Sequence, residues 1–150
     1  MRSTTSGLAL VPIIRCANYC ASKAALHHYI LCLREQLRGT SVKVVELFPP
    51  AVQSKALFVV LAETHAMYGV LKVAAIAELH DQKHQPDIKD GRSIGMPLDE
   101  FIEEAYNGLA AGNEEVAVQH AKQWYDAFEP KRQELFHKLV DMMKKSYGGK

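Results

Sequence analysis

Residues 42–48, VKVVELF, constrain the fold of this chain more than any other stretch. They are rich in β-branched residues and almost continuously apolar, and Pro49-Pro50 stops them at once. A strand of this kind belongs inside a parallel sheet covered on both faces, because a strand with one wet face would alternate apolar and polar residues. The preceding stretch agrees. Residues 17–37 read as a helix, with Leu26, Ile30, Leu33 and Leu37 on one stripe and Ala24, His28 and Leu31 on another. So much apolar circumference needs cover on more than one side, a sheet on one and a second helix or second copy on another. Arg38-Gly39-Thr40 then makes the turn into the strand.

Downstream, Met96-Pro97-Leu98-Asp99 starts a helix that runs to about residue 109 and closes at Gly112-Asn113. Residues 115–118 are a short strand. A last helical region covers about 121–145, broken before Pro130, where a proline can open a new helix at its first turn. Helix, strand, helix, strand, helix is the tail of an α/β wound sheet. Two strands make no stable open sheet, so the chain reads as half of a domain.

Bulk properties exclude several classes. With 150 residues, 48% hydrophobic and 23% charged, the chain has the make-up of soluble globular protein. A net charge of +1 gives no footprint for nucleic acid or an anionic membrane. The apolar stretch 56–77 is interrupted by Glu63, His65 and Lys72, which a membrane helix does not tolerate. Cys16, Cys20 and Cys32 form neither a disulfide framework nor a paired zinc spacing. His80 and His84 could share a helix face, but no third ligand accompanies them. The expectation is a cytoplasmic protein without metal.

Chemistry concentrates in the helix over 17–37. Tyr19 and Lys23 are four residues apart and project from one helix face. A free phenol, with a pKa near ~10, is a poor base at neutral pH. A nearby ammonium favours the phenolate and is expected to lower that pKa. The pair could then exchange a proton with an alcohol or carbonyl oxygen, which a serine hydroxyl would hold. Ser6 lies thirteen residues before Tyr19.

The window Asn18-Tyr19-Cys20-Ala21-Ser22-Lys23-Ala24-Ala25-Leu26 resembles the active-site helix of the short-chain dehydrogenase/reductase family, whose motif is YxxxK within Y-x-[AS]-[ST]-K-A-[AG]. Ser6 stands at the separation this family uses for its catalytic serine. Residues 44–54, VVELFPPAVQS, are similar to the family's strand followed by PGxVxT, with Pro50 for the Gly and Ser54 for the Thr. The first exchange, with Glu78-Leu79-His80, Pro86-Asp87-Ile88 and residues 95–101, resembles a DltE-like subgroup. The resemblance implies Ser6, Tyr19 and Lys23 as catalytic residues. It implies Tyr19, Lys23, Val52 and Ser54 as contacts of a nicotinamide cofactor, NADP or NAD, and a small alcohol or carbonyl compound as substrate. It also implies a possible homodimer through helix 17–37.

The chain departs from the family twice. There is no TGxxxGxG turn, the device that brings backbone amides to a pyrophosphate. The expected fold class is therefore α/β, the C-terminal portion of a Rossmann-like doubly wound parallel sheet, with the N-terminal nucleotide-binding half missing and activity impaired. Within one partial domain, residues 1–54 carry the active site, 55–77 are an insertion, and 78–150 form the lid and C-terminal helices. Two readings of 55–77 stand. One is a translated intron, since Ser54-Lys55 can be written AGT-AAG and Ile76-Ala77 ATA-GCG, and excision would leave Thr at position 54. The other is a true helical insertion in the substrate lid. The alternative to an oxidoreductase is a non-catalytic piece that pairs with a full-length relative.

Overall fold

The computed structural model describes residues 1–53 and 87–146 of the chain. Ser54, the stretch 55–77 and residues 78–86 lie outside the described residues. The described elements are β1 (Arg2–Thr4), α1 (Ala17–Gln36), β2 (Val45–Phe48), α2 (Leu98–Ala110), β3 (Glu115–Ala117) and α3 (His120–Ser146). The strands form one parallel sheet in the order β1-β2-β3. The register pairs Ser3 with Glu46 and Glu46 with Glu115. A parallel sheet covered by helices in this way fits a Rossmann-like arrangement.

The sheet has three strands where the sequence pattern gave two. β1 is Arg-Ser-Thr, too polar and short to carry an apolar signature. Its ladder with β2 and the bond from Val45 N to the Met1 carbonyl hold it in place. β2 is also shorter than the apolar run that announced it. A second correction concerns α3, which runs unbroken through Pro130. A proline removes one backbone donor and strains one turn. Here the fully buried Glu129 sits at that turn, paired with His27 and Arg132, so tertiary contacts hold the helix together.

Side chains alternate across the strands, and this sorts the layers. Leu47 and Val116 face one way, into a core with Val52, Met96, Phe101 and Ala105. α2 supplies that cover because Leu98, Phe101, Ile102, Ala105 and Leu109 repeat at helical spacing. Burial of a side chain such as Phe101 is worth roughly 1.5–3 kcal/mol. Phe48 faces the other way, against Leu10, Ala121, Trp124 and Tyr125. Glu46, two residues before Phe48, therefore points to the same side, where α1 and α3 lie.

Between β1 and α1 the chain makes a 3-10 turn, Gly7–Ala9, that packs against α3. A Cβ on Gly7 would come within 2.8 Å of the Ala121 Cβ and 3.2 Å of the Trp124 ring. Gly7→Ala should therefore lower stability by about 1–3 kcal/mol, as overpacking does. Urea unfolding would measure it, and an unchanged midpoint would show that α3 does not bear on this turn.

Candidate active site

The site forms where β1 and β2 end, the end of a parallel sheet at which α/β proteins place ligands. β1 delivers Ser6 in extended backbone, with φ −172° and ψ 154°. Ser6 is 2% exposed, and its Oγ accepts a hydrogen bond from the Leu8 amide at 3.1 Å. A hydroxyl that accepts from the backbone keeps its own proton to donate elsewhere. Ser6 is thus set up as a donor.

α1 brings Tyr19 and Lys23 to the same place. Lys23 Nζ lies 5.6 Å from the centre of the Tyr19 ring and donates to the Thr4 carbonyl at 3.0 Å. The helix thereby hooks its lysine onto the end of β1, one residue from Thr5 and two from Ser6. Tyr19 is half-buried, and its Oη is a buried oxygen that finds no well-aligned hydrogen-bonding partner among the described residues. Burial is the main influence on this phenol and pushes its pKa above the ordinary tyrosine value. Ser6 lies beside it and tempers the rise without completing a well-aligned hydrogen bond, while Cys16 and Cys20 add to it. Burial also moves the Lys23 ammonium down. The expectation of a phenol lowered by its lysine is therefore reversed in this state, because desolvation dominates and Ser6 only partly offsets it. At neutral pH the site holds a protonated phenol.

The two thiols next to Tyr19 are free, with Cys16 Sγ and Cys20 Sγ 3.7 Å apart. Burial and the neighbouring Cys20 push the Cys16 thiol up to about 11. Such a thiol is a packing group rather than a nucleophile. Among the described residues no three ligating side chains gather into a metal site, and no helix is long and apolar enough to cross a membrane.

After β2 the chain turns through Pro49-Pro50 to Val52, which pairs with Met96 in a parallel bridge. Gln53 N donates to the Met96 carbonyl and Met96 N to the Ala51 carbonyl, each at 2.9 Å. Gly95 makes this crossing feasible. Its φ is +109°, and a Cβ there would meet the Ala51 oxygen at 2.3 Å. The Val52 side chain is 5% exposed and packs in the core, so it braces the loop from beneath.

Behind Ser6 lies a cluster of buried charge that the motif did not announce. His27 is fully buried on α1, two turns beyond Tyr19 and one beyond Lys23. Its Nδ1 is 3.0 Å from Glu46 Oε1, and its Nε2 is 3.1 Å from Glu129 Oε1. The second contact is an ion pair without hydrogen-bond alignment. Arg132 approaches Glu129 at 2.8 Å, and Arg34 approaches Glu46 at 3.7 Å. Burial alone would lower the His27 pKa, but the two carboxylates outweigh it and raise it to about 9. Burial likewise raises Glu129, and His27 and Arg132 more than reverse that, leaving it below the usual carboxylate value.

Linkage sets the pH window of this cluster. A histidine raised from 6.5 to about 9 contributes stability that is complete below pH 6.5 and is lost as pH rises through about 9. Glu129, lowered, contributes stability above its unfolded pKa of about 4.3 that is lost as pH falls. Thermal unfolding should therefore show greatest stability between about pH 5 and 8. The alkaline fall should be absent in His27→Gln. The same fall in that variant would assign it to another group.

A family model described as short chain dehydrogenase matches residues 3–63. The protein named uncharacterized oxidoreductase DltE, from Bacillus subtilis (strain 168), is 32% identical over 136 residues. That alignment takes in 90% of this chain and 44% of the relative, so the chain spans less than half of that protein's length. No solved structure matches the chain.

Proposed function

The chain belongs to the short-chain dehydrogenase family, and from that premise we propose a hydride-transfer oxidoreductase acting on a small carbonyl or alcohol compound. The observation that carries the reading is the buried Tyr19 Oη, without a well-aligned hydrogen bond among the described residues, with Ser6 beside it and the Lys23 ammonium 5.6 Å from its ring centre. A buried polar atom without a partner costs about 1–3 kcal/mol, so an incoming oxygen that accepts its proton is favoured there.

These residues fit the nicotinamide end of NAD or NADP. Tyr19 and Lys23 would hold its ribose, and the loop at Val52 would flank the ring; Ser54, expected there by resemblance, lies outside the described residues. When bound, the dinucleotide supplies or accepts the hydride. The chain's own residues manage the proton. Tyr19 donates its phenolic proton to the carbonyl oxygen as the carbonyl carbon is reduced. Ser6 Oγ–H holds the same oxygen. The Lys23 ammonium stabilises the phenolate left behind, which regains a proton from solvent. At neutral pH the phenol is in the protonated form that donates in reduction, and alcohol oxidation, which releases a proton, should gain with rising pH.

Free thiols at Cys16, Cys20 and Cys32 suit a reducing, cytoplasmic setting. The outward face of α1, with Ala21, Ala25, His28, Tyr29 and Cys32 exposed, is the surface we assign to a homodimer. The test of function is reduced-nicotinamide consumption with a panel of aldehydes and ketones, supplying NADH and NADPH separately. Turnover of at least one carbonyl, slowed in Ser6→Ala, supports the reading. No turnover and no thermal stabilisation by either nucleotide would refute it.

A further inference from the structure

The buried histidine cluster is joined to the catalytic strand end by a continuous run of contacts. Three successive residues at that end are each tied to something different. The Thr4 carbonyl accepts from Lys23 at 3.0 Å. Thr5 Oγ1 donates to Glu46 Oε1 at 2.8 Å. Ser6 Oγ is held by the Leu8 amide and lies beside Tyr19. Glu46 in turn is gripped by His27 Nδ1, whose distances to its two carboxylate oxygens are 3.0 and 3.2 Å. His27 belongs to the helix that carries Tyr19 and Lys23, so the contacts close into a ring. Helix α1 reaches the end of β1 once through Lys23 and Thr4, and again through His27, Glu46 and Thr5.

Such a ring sets a distance. Arg34, which donates to the Val44 carbonyl at 3.1 Å, and the buried Ile30 hold the far half of the helix, but at the Tyr19 end Lys23 is one flexible side chain and would set the gap to Ser6 loosely. The second tether is rigid, because Thr5, Glu46 and His27 are each fully buried. Glu129 and Arg132 from α3 and Arg34 from α1 complete its charge, and Phe48 packs edge-on against the His27 ring at 5.2 Å. An apolar trio would fill this space with less desolvation. A directional chain of bonds instead fixes one register of helix on strand.

We propose that Thr5, Glu46 and His27 are positioning residues that hold Ser6 against the Tyr19 phenol. They touch neither substrate nor cofactor and act through the Thr4–Ser6 backbone. The proposal rests on the hydride-transfer reading for its effect on turnover, but its geometric content does not.

The experiment uses Thr5→Val, which keeps the side chain's shape and deletes the donor to Glu46, and Thr5→Ser, which restores it. Tyr19 ionisation is read from phenolate absorbance, with Tyr19→Phe as the blank in each background. In Thr5→Val the Tyr19 midpoint should move further up, because Ser6 no longer tempers it, and Thr5→Ser should return it to the wild-type position. In reductive turnover, Thr5→Val should lower kcat by roughly 10–100-fold with little change in KM, as slight misplacement of a reacting group does. Should Thr5→Val reduce thermal stability while leaving Tyr19 ionisation at its wild-type midpoint, the cluster is only structural and the proposal falls. Absence of turnover in the wild type would count against the hydride-transfer reading alone, since the Tyr19 titration needs no substrate.

Discussion

Tyr19→Phe should lower carbonyl reduction by about 10²–10⁴-fold, the range that a positioned general acid supplies. The fold should survive the change. Among the described residues the Oη makes no well-aligned hydrogen bond, so its removal loses at most a weak contact with Ser6 and deletes a costly buried polar atom. Tyr19→Phe is expected to be as stable as wild type or slightly more so. That combination, lost turnover with retained or improved stability, separates a catalytic phenol from a structural one. A variant that unfolds, or one that turns over at the wild-type rate, would each remove Tyr19 from the chemistry.

The largest effect on stability is expected at His27. Replacing it with leucine leaves Glu46 and Glu129 facing each other, both fully buried. Arg132 and Arg34 then remain as the cations in reach. Breaking a buried ion pair from one side costs about 3–5 kcal/mol, because the surviving charge is unpaired. In a domain of this size that corresponds to a fall in Tm of about 6–20 °C. Glu129→Gln should cost less, since His27 keeps Glu46. Replacing His27, Glu46 and Glu129 together with apolar residues should recover much of the loss, as happens when a buried ionic cluster is exchanged whole. Calorimetry on the three variants decides it. A His27→Leu protein as stable as wild type would mean that the cluster is not charged in the folded chain.

How much of this was legible in the sequence depends on which force made each element. α1 and α2 carry apolar repeats, and they stand within a residue or two of where those repeats place them. β1 was not legible, because three polar residues are held by ladder bonds to β2 rather than by burial. The continuity of α3 through Pro130 was hidden for a related reason. Local propensity argues for a break there, and contacts made far along the chain overrule it. Tyr19 and Lys23 are found by their spacing, and the fold does bring them and Ser6 together. The state of the phenol was not readable, because desolvation depends on what packs around it.

Glu46 carried a signal that could have been used. A carboxylate inside a strand covered on both faces demands a buried partner, and His27, one turn beyond Lys23, was available to be that partner. What the spacing could not give was the third member, Glu129, which arrives from a helix some eighty residues further along the chain.

The most direct test of the central claim follows the ionisation of Tyr19 itself. Phenolate absorbance of the wild-type chain minus that of Tyr19→Phe would be recorded against pH, with circular dichroism confirming that both remain folded. A shielded phenol that serves as a neutral proton donor should ionise above the ordinary tyrosine value of about 10. Ionisation at or below that value would show a solvent-exposed or cation-activated phenol and would contradict the site described.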